Sequence, residues 1–299
     1  DIAVEKVADY AAEDADVTLQ LKEVLFPKLQ EEGFEELYRT MEEPLIRVLV
    51  DMEYEGINVD TEYLDEFSKE LEIILREKEQ KIYETAGMQF NISSPSQVGG
   101  VLFDKMKIPY RWKRTKSGKY STSEEKLVEL AVAEPFINDI LKYRKLAKLK
   151  STYVDALPKM VNPKTGRIHT SFNQALTSTG RLSSSNPNLQ NIPIRTKIGS
   201  RVRKAFVARD KDHVLIAADY SQIELRLIAE MSGEEAMLEA FQKNEDIHSA
   251  TAAHVFNVPF EEVTKQERYK AKTLNYAIVY GAGSNKISQE LNQFEDSDE

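Results

Sequence analysis

The stretch VLIAADYSQIELR at 214–226 carries two acids at positions where chemistry is possible. The apolar run at 214–218 predicts a short buried strand, so Asp219 is expected where the backbone leaves the core. A carboxylate there must be solvated, paired or bound to a metal, and Mg²⁺ prefers such oxygen ligands. Ser221 and Glu224 also fit a capping box at a helix start, which explains Glu224 without a catalytic role. Both a metal role and a turn role remain open for Asp219.

A second stretch, VTKQERYKAKTLNYAIVYGAG at 263–283, predicts one helix that starts with a T-x-x-E capping box and ends at two glycines. Four side chains recur along it at every fourth position: Arg268, Lys272, Tyr276 and Tyr280. Each step adds about 6 Å of rise and only about 40° of rotation, so they form a gently winding row. The two cations come first and the two aromatic rings last. A nucleoside triphosphate has the matching order, with anionic phosphates followed by a sugar and a flat base. The alternative is a solvated basic edge with two core tyrosines.

The composition excludes several kinds of site. The 299 residues contain no Cys, and the four His show no metal-ligand spacing, so disulfides, thiolate catalysis and Cys-ligated zinc are excluded and any metal must bind oxygen. No apolar run reaches the length of a membrane span, and the N-terminus does not resemble a signal peptide. We therefore expect a cytoplasmic protein without membrane partners.

Three basic stretches interrupt an otherwise acidic chain whose formal net charge is -10. They lie at 105–119, 142–150 and 195–204, contain seven, five and five cations, and hold no acid. Such clusters are usually solvated surface, but together they could line a groove that follows a phosphate backbone. The polar loop TSTGRLSSSNPNLQNIPIR at 177–195 could donate hydrogen bonds to the acceptors of a minor groove.

The elements needed to position these groups are mostly helical. The periodicity predicts a helix over about 1–30, bent or ended early by Pro27, and a long projecting helix over Thr61–Ala86. A further helical region is expected at 124–149 and a strand at about 168–173. After the acidic strand end, the pattern predicts only helices.

Taken together, these stretches resemble the family A DNA polymerases over nearly the whole chain. DYSQIELR at 219–226 is similar to motif A of that family, and RYKAKTLNYAIVYG at 268–281 is similar to motif B on its fingers helix. TGRLSSSNPNLQNIPIR at 179–195 resembles its primer-side loop. YAAEDADVTLQL at 10–21 is similar to the last motif of a 3′ to 5′ exonuclease domain.

The resemblance implies an α+β, helix-rich fragment of a polymerase hand with an antiparallel palm sheet, a helical thumb and helical fingers. The implied parts are the end of an exonuclease domain at 1–30, a palm at 31–56 and 156–232, a thumb at 57–155, and the start of the fingers at 233–299.

The implied function is template-directed transfer of a deoxynucleotide to a primer 3′ hydroxyl in DNA replication and repair, with two Mg²⁺ ions as cofactors. Primer-template DNA and deoxynucleoside triphosphates are the implied partners, and a monomer is expected. Asp219 and the Tyr220 carbonyl are the implied metal ligands, and Arg268 and Lys272 complete the catalytic group. A Tyr at 276, where most bacterial relatives carry Phe, implies tolerance of nucleotides that lack the 3′ hydroxyl.

The resemblance also assigns binding residues. The implied nucleotide-binding set is Tyr220, Glu224, His248, Arg268, Lys272, Tyr276, Tyr280 and Arg195. The expected DNA-binding set is Arg181, Asn188, Gln190, Asn191, Lys145, Lys148 and Lys150.

Two departures from the family pattern limit what the chain should do alone. The second catalytic carboxylate motif of the family, H-D-E, does not occur in the sequence, so we expect the chain by itself to be unable to polymerise. Tyr10 and Asp14 match an exonuclease remnant whose other acids are absent, so no proofreading is expected. The alternatives are a non-catalytic fragment that binds duplex DNA and a metal-dependent nuclease, for which Asp219 and Glu224 supply too few carboxylates.

Overall fold

The computed structural model describes residues 3–194, 196–284 and 287. The described chain is rich in helix and contains two small antiparallel sheets, so the expected α+β class is confirmed. It divides into two compact units between Leu215 and Ile216. None of the helices in the described ranges is both long and apolar enough to span a membrane.

The first unit begins with α1 (Val4–Glu31), which confirms the helix expected over about 1–30. Pro27 lies inside α1, so of the two effects expected of this residue, a bend or an early end, the early end does not occur. A proline removes one backbone donor, and the strong helix formers Lys28, Leu29 and Gln30 continue the helix for another turn. The helix stops just before Gly33, whose φ is 76°.

Two further helices lead to the first strand. They are α2 (Glu35–Leu37) and α3 (Glu43–Glu55), and a π-helical turn joins them. Gly56 follows α3 with φ of 64°, and a Cβ there would lie 2.7 Å from the carbonyl oxygen of Ile168. Only glycine permits this approach, which lets Ile57 and Ile168 exchange two backbone hydrogen bonds of 2.9 Å.

The long predicted helix is confirmed as α4 (Thr61–Ala86). The Asp60 side chain caps it by accepting a 2.9 Å hydrogen bond from the backbone N–H of Tyr63, and Gly87 ends it in the left-handed conformation. The expectation that α4 projects from the fold is wrong. Four of its apolar side chains are fully buried: Leu64, Phe67, Leu71 and Ile82. This helix is therefore the centre of the first unit, and its charged residues form only its outer face.

The remaining helices of the first unit pack around α4 in two hydrophobic clusters. These helices are α5 (Pro95–Gly99), α6 (Glu124–Ala131), α7 (Phe136–Leu149) and α8 (Lys197–Ser200). Irregular helical turns at Gly100–Lys105, Lys150–Val154, Leu157–Met160 and Arg201–Ala205 extend them. One cluster joins the C-terminal half of α4 to α5, α6 and α7, and the other joins its N-terminal half to the end of α7.

Both sheets are two-stranded and antiparallel. The strands β1 (Asn58–Val59) and β4 (Phe206–Val207) pair, as do β2 (Ser171–Asn173) and β3 (Ser183–Ser185). The strand expected near 168–173 is confirmed by β2. Its partner β3 lies inside the stretch that the sequence predicts as a polar loop.

The second unit is helical. It contains α9 (Ile223–Ser232), α10 (Glu235–Gln242), α11 (Ile247–Phe256) and α12 (Lys265–Val279), with a 3-10 turn at Phe260–Glu262. Leu225, Ala229, Phe241 and Ile247 form its core. The helices α11 and α12 pack side by side. The capping box predicted for α12 is present, with Thr264 and Glu267 bonding each other's backbone N–H.

The buried strand predicted at 214–218 is not formed. The segment has no regular secondary structure and pairs with no strand in the described part of the chain, and Val214 and Ile216 are 78% and 87% exposed. An apolar run becomes a buried strand only when other strands and a covering layer take up its hydrogen bonds and its faces. The sequence pattern therefore identifies 214–218 as apolar, but it does not predict whether the segment is buried.

Candidate functional site

Asp246 joins three elements of the second unit. It is the N-cap of α11, where its carboxylate accepts hydrogen bonds from the backbone N–H and the hydroxyl of Ser249. Arg268 of α12 donates to both carboxylate oxygens at 2.5 and 3.0 Å, and Gln222 donates at 3.3 Å. Burial raises the pKa of the Asp246 carboxyl, but the hydrogen bonds from Arg268 and Ser249 outweigh burial and hold it well below its usual range. The residue is thus a fixed anion that holds a guanidinium group in one place.

A histidine lies two residues further along, in the first turn of α11. His248 is 2% exposed, and its ring centroid is 5.9 Å from that of Tyr276. Burial lowers the pKa of the His248 imidazole, and the positive charges of Arg268 and Lys272 lower it further, while Asp246 opposes them. The structure therefore brings the His248 and Tyr276 rings together where α11 packs against α12, within the influence of two positive charges.

The row of side chains predicted along α12 is present, but its members have different surroundings. Arg268 and Lys272 are exposed, and Tyr276 is half-buried against the core of the second unit. Tyr280 follows the last residue of α12, and its hydroxyl donates a 2.7 Å hydrogen bond to Glu224. Tyr276 therefore contacts α11 and Tyr280 contacts α9, which the alternative of a solvated basic edge with two core tyrosines does not require.

The helix start predicted at Ser221 and Glu224 is wrong in detail. The N-cap of α9 is Gln222, which has φ of 55° and makes no side-chain cap. Glu224 lies in the first turn, and its carboxylate accepts from Tyr280. A tertiary hydrogen bond has replaced the local one, because the backbone turns through a left-handed residue before the helix begins.

Asp219 and Tyr220 lie in the irregular segment before α9, and Tyr220 is 80% exposed. Within the described ranges no three acidic, His or Cys side chains come close enough to form a metal site by themselves. A carboxylate and a backbone carbonyl are hard oxygen donors, and Mg²⁺ is commonly bound by one or two carboxylates together with substrate phosphates and water. These two groups therefore fit a shared metal site of that kind.

The lysines expected to contact DNA lie at the end of α7 and just after it. A shallow cleft of about 120 Å³ is lined by Glu124, Leu141, Arg144, Lys145 and Lys148. Lys145 forms a 2.8 Å ion pair with Glu124. Lys150 is less exposed and forms an ion pair of 2.8 Å with Asp155. Of the three lysines, Lys148 is the one with no ion pair among the described residues.

The polar loop is held from within by a small buried network. Ser184 and Thr170 are buried, and the Ser184 hydroxyl accepts from the backbone N–H of Leu189 at 2.8 Å. Four of the side chains expected to contact DNA are exposed on this loop: Arg181, Asn188, Gln190 and Asn191. The remaining residue expected there, Arg195, lies outside the described residues.

Tyr10 and Asp14 lie on α1, where both are exposed. The backbone carbonyl of Asp14 accepts a hydrogen bond from Thr18 one turn later. Both residues therefore lie on the solvent-exposed surface of α1.

Sequence reasoning missed Asp246, Gln222 and Asn275. Asp246 precedes an apolar helical run, which is the ordinary position of an N-cap. Asn275 follows Arg268 at i+7 and Lys272 at i+3, the spacing of residues on one helix face. Both signals were present in the sequence, but only the packing of α11 against α12 shows that these positions meet.

Comparison with known proteins decides the family. The family model described as DNA polymerase family A matches residues 61–298. This chain belongs to DNA polymerase family A. The family A chain is 48% identical over 295 residues to a DNA polymerase I of Chloroflexus aurantiacus, a match that covers 97% of this chain and 31% of that protein. It is 46% identical over 286 residues to a DNA polymerase I of Geobacillus stearothermophilus, with 96% and 32% covered.

A solved structure supports the same assignment. The family A chain matches the POL domain of Pol1 from M. smegmatis, solved in complex with DNA primer-template and dNTP, with a TM-score of 0.82 and 40% identity. The match covers 92% of this chain and 48% of that one. The chain thus spans about a third of the length of the curated relatives that it matches.

Proposed function

We propose that this chain is the part of a DNA-directed DNA polymerase that holds the incoming deoxynucleoside triphosphate during DNA replication and repair. The observation that carries the proposal is the packing of α11 against α12. There Asp246 holds Arg268, the rings of His248 and Tyr276 lie 5.9 Å apart, and the charges of Arg268 and Lys272 act on His248. Cations and a neutral donor suit a triphosphate, and the half-buried ring suits the sugar and base. The Glu224 and Tyr280 pair forms the floor of the sugar pocket in this proposal.

The chemistry of the whole protein is attack of a primer 3′ hydroxyl on the α-phosphorus, with cleavage of the bond to the bridging oxygen and departure of pyrophosphate. Arg268 and Lys272 bind the phosphate oxygens and offset their charge in the transition state. Asp219 and the Tyr220 carbonyl are the groups that would hold Mg²⁺. When bound, the metal supplies charge neutralisation and alignment of the reacting oxygens.

In this proposal the first unit contacts the primer-template. By this assignment, residues 57–155 are the thumb, 31–56 and 156–232 the palm, and 233–299 the start of the fingers, while 1–30 ends an exonuclease domain. Lys145, Lys148 and Lys150 would follow the phosphate backbone, and the polar loop with Arg181, Asn188, Gln190 and Asn191 would contact the primer end, together with Arg195. The ion pairs of Lys145 and Lys150 leave Lys148 as the most available cation of the three.

Nucleotide binding by the chain tests the proposal. Titration of a deoxynucleoside triphosphate in the presence of Mg²⁺, followed by calorimetry, should show saturable binding. Lys272→Ala should weaken it by about tenfold or more, because a charge-assisted contact to phosphate is lost. Asp219→Ala should remove the dependence on Mg²⁺.

The matched control is Lys265→Ala, which removes an exposed lysine from the first turn of the same helix. It should change the affinity by less than about twofold, since it alters the net charge equally without touching the site. Equal losses in both lysine variants would indicate non-specific attraction of an anion. Absence of any metal-dependent binding, with duplex binding intact, would favour the non-catalytic DNA-binding alternative.

Duplex binding is tested by its salt dependence. Lys148→Ala should reduce the slope of log K against log salt by about 0.9, the value for one lost phosphate contact. Lys69→Ala, an exposed lysine of α4 outside the basic stretches, is the control and should leave the slope unchanged. A slope that both variants alter equally would show that α7 makes no specific phosphate contact.

A further inference from the structure

A chain of three hydrogen bonds fixes the orientation of the Asn275 side chain. The Thr251 hydroxyl donates to the backbone carbonyl of Ile247 at 2.8 Å. A hydroxyl has one hydrogen, so Thr251 Oγ1 can only accept from any other partner. Asn275 contacts this oxygen at 3.0 Å, and the group that it presents must therefore be the amide nitrogen, Nδ2, and not the carbonyl oxygen.

The same amide nitrogen faces His248. Asn275 Nδ2 carries two hydrogens, and with one donated to Thr251 the second is available to His248 Nδ1, 3.2 Å away. A nitrogen that accepts this hydrogen bond carries no proton. Burial, the largest influence on the His248 pKa, lowers it, so the ring is neutral near pH 7 and its single proton must be on the other nitrogen.

From these hydrogen bonds we infer that Asn275 and Thr251 are positioning residues that hold His248 as its Nε2–H tautomer. Within the described part of the chain, the hydrogen bond that the His248 ring makes to another residue uses Nδ1. The Nε2–H group is thus kept as a donor for a ligand and not used by the fold.

The ligand that suits this donor is an anionic phosphate oxygen, and this step rests on the proposed function. The charged groups around the ring are Asp246 on α11 and Arg268 and Lys272 on α12. Asp246 already accepts hydrogen bonds from Arg268 and Ser249, whereas Lys272 contributes a positive charge that lowers the pKa of the ring. A neutral N–H donor near two cations can bind a phosphate oxygen without placing a charge on the buried ring.

The tautomer can be observed directly in the unmodified, nucleotide-free chain. With only four histidines in the sequence, long-range ¹H–¹⁵N correlation spectra of the ¹⁵N-histidine-labelled chain at pH 7.5 resolve each imidazole, and His248→Gln assigns the resonance. We expect one protonated nitrogen, Nε2, and an unprotonated Nδ1. A spectrum showing Nδ1–H or rapid exchange between both tautomers overturns the inference.

Two substitutions test the roles of the positioning residues. Thr251→Val keeps the shape of the side chain but removes the acceptor, so the amide is free to turn and the Nδ1–H tautomer should appear. Thr251→Ser retains the hydroxyl and is the matched control, which should keep the wild-type spectrum. Asn275→Asp presents only acceptors and should move the proton to Nδ1. Unchanged tautomers in Thr251→Val and Asn275→Asp would contradict the positioning role, and thermal melts monitored by circular dichroism verify that each variant is folded.

Nucleotide binding separates this inference from the proposed function. If the inference holds, Asn275→Asp weakens binding of a deoxynucleoside triphosphate by about tenfold, while Thr251→Ser changes it by less than about twofold. The Nε2–H tautomer without any nucleotide binding would refute the proposed function alone. Nucleotide binding with an Nδ1–H ring would refute the inference alone.

Discussion

At the scale of single residues, Asp246 is the side chain that links the most parts of the candidate site in the second unit. This carboxylate caps α11, binds the guanidinium of Arg268 and accepts from Gln222 just before α9. Its hydrogen bonds are charge-assisted and partly shielded from solvent, where such contacts contribute more than exposed ion pairs do. One side chain therefore stabilises a helix start and fixes a cation that we assign to phosphate binding.

Replacing Asp246 by Asn should reveal a pH-dependent contribution to stability. The pKa of Asp246 is lower in the folded than in the unfolded chain, so its stabilisation is complete above an unfolded pKa of about 3.9 and is lost as the pH falls through the folded pKa. Urea unfolding should show a lower midpoint for Asp246→Asn at pH 6 and a smaller difference from wild type at pH 3.

The control for that measurement is Glu239→Gln, which removes an exposed ion pair with Lys243 in the same unit. Exposed pairs contribute little, so this variant should have nearly the urea midpoint of the wild type at both pH values. A difference between Asp246→Asn and wild type that does not change with pH would contradict the proposed linkage.

Tyr276 should influence how the sugar is recognised. If its hydroxyl substitutes for a missing sugar hydroxyl, Tyr276→Phe should weaken binding of a dideoxynucleoside triphosphate by about threefold to tenfold, the effect of one lost hydrogen bond. Binding of the deoxynucleotide should change less. Calorimetric titration of both ligands against both proteins measures the ratio, and strong rejection of the dideoxynucleotide by the wild type would contradict the expectation.

At the scale of elements, α12 carries most of the candidate site, so its start must be well fixed. The reciprocal hydrogen bonds of Thr264 and Glu267 satisfy donors that the first turn would otherwise leave open. The backbone hydrogen bond from Thr264 is the largest influence on the Glu267 pKa and lowers it, because the carboxylate accepts that bond. The capping box thus holds the turn that precedes Arg268.

Thr264→Ala should destabilise the second unit by about 1 kcal/mol, the usual effect of losing a helix cap. The comparison is Thr273→Ala in the interior of the same helix, where the hydroxyl bonds only the carbonyl one turn earlier. Because alanine favours helix, Thr273→Ala should be neutral or slightly stabilising. Thermal unfolding followed by circular dichroism distinguishes them, and equal effects would show that the cap contributes nothing.

At the scale of the whole molecule, the two compact units differ in how they are held together. The first unit has two hydrophobic clusters organised along α4, and the second has one smaller cluster around α9, α10 and α11. The net charge is -10, and several cations of the basic stretches form ion pairs with acids elsewhere in the first unit. The charge available to a phosphate backbone is therefore smaller than the sequence count indicates.

The central position of α4 gives a direct test of the first unit. Leu71 is fully buried and Ile73, two residues later on the same helix, is 60% exposed. Leu71→Ala should lower the free energy of unfolding by about 2–5 kcal/mol, whereas Ile73→Ala should cost less than about 1 kcal/mol. Urea unfolding of the two variants supplies the comparison. A projecting α4 would make the two substitutions equivalent.

The amino-acid sequence by itself determined the local features of this protein. Short-range sequence patterns were enough to predict where α4 and α12 begin and end and to predict the capping box of α12. The family assignment likewise depends on short motifs. Only the tertiary structure decided that α4 is a core helix, that residues 214–218 are exposed and that Glu224 bonds Tyr280. Burial and partner choice are properties of the packed chain, and a periodic pattern identifies an apolar face without identifying what covers it. The tertiary structure also decided that Asn275 bonds Thr251 and His248, because these residues meet only where α11 packs against α12.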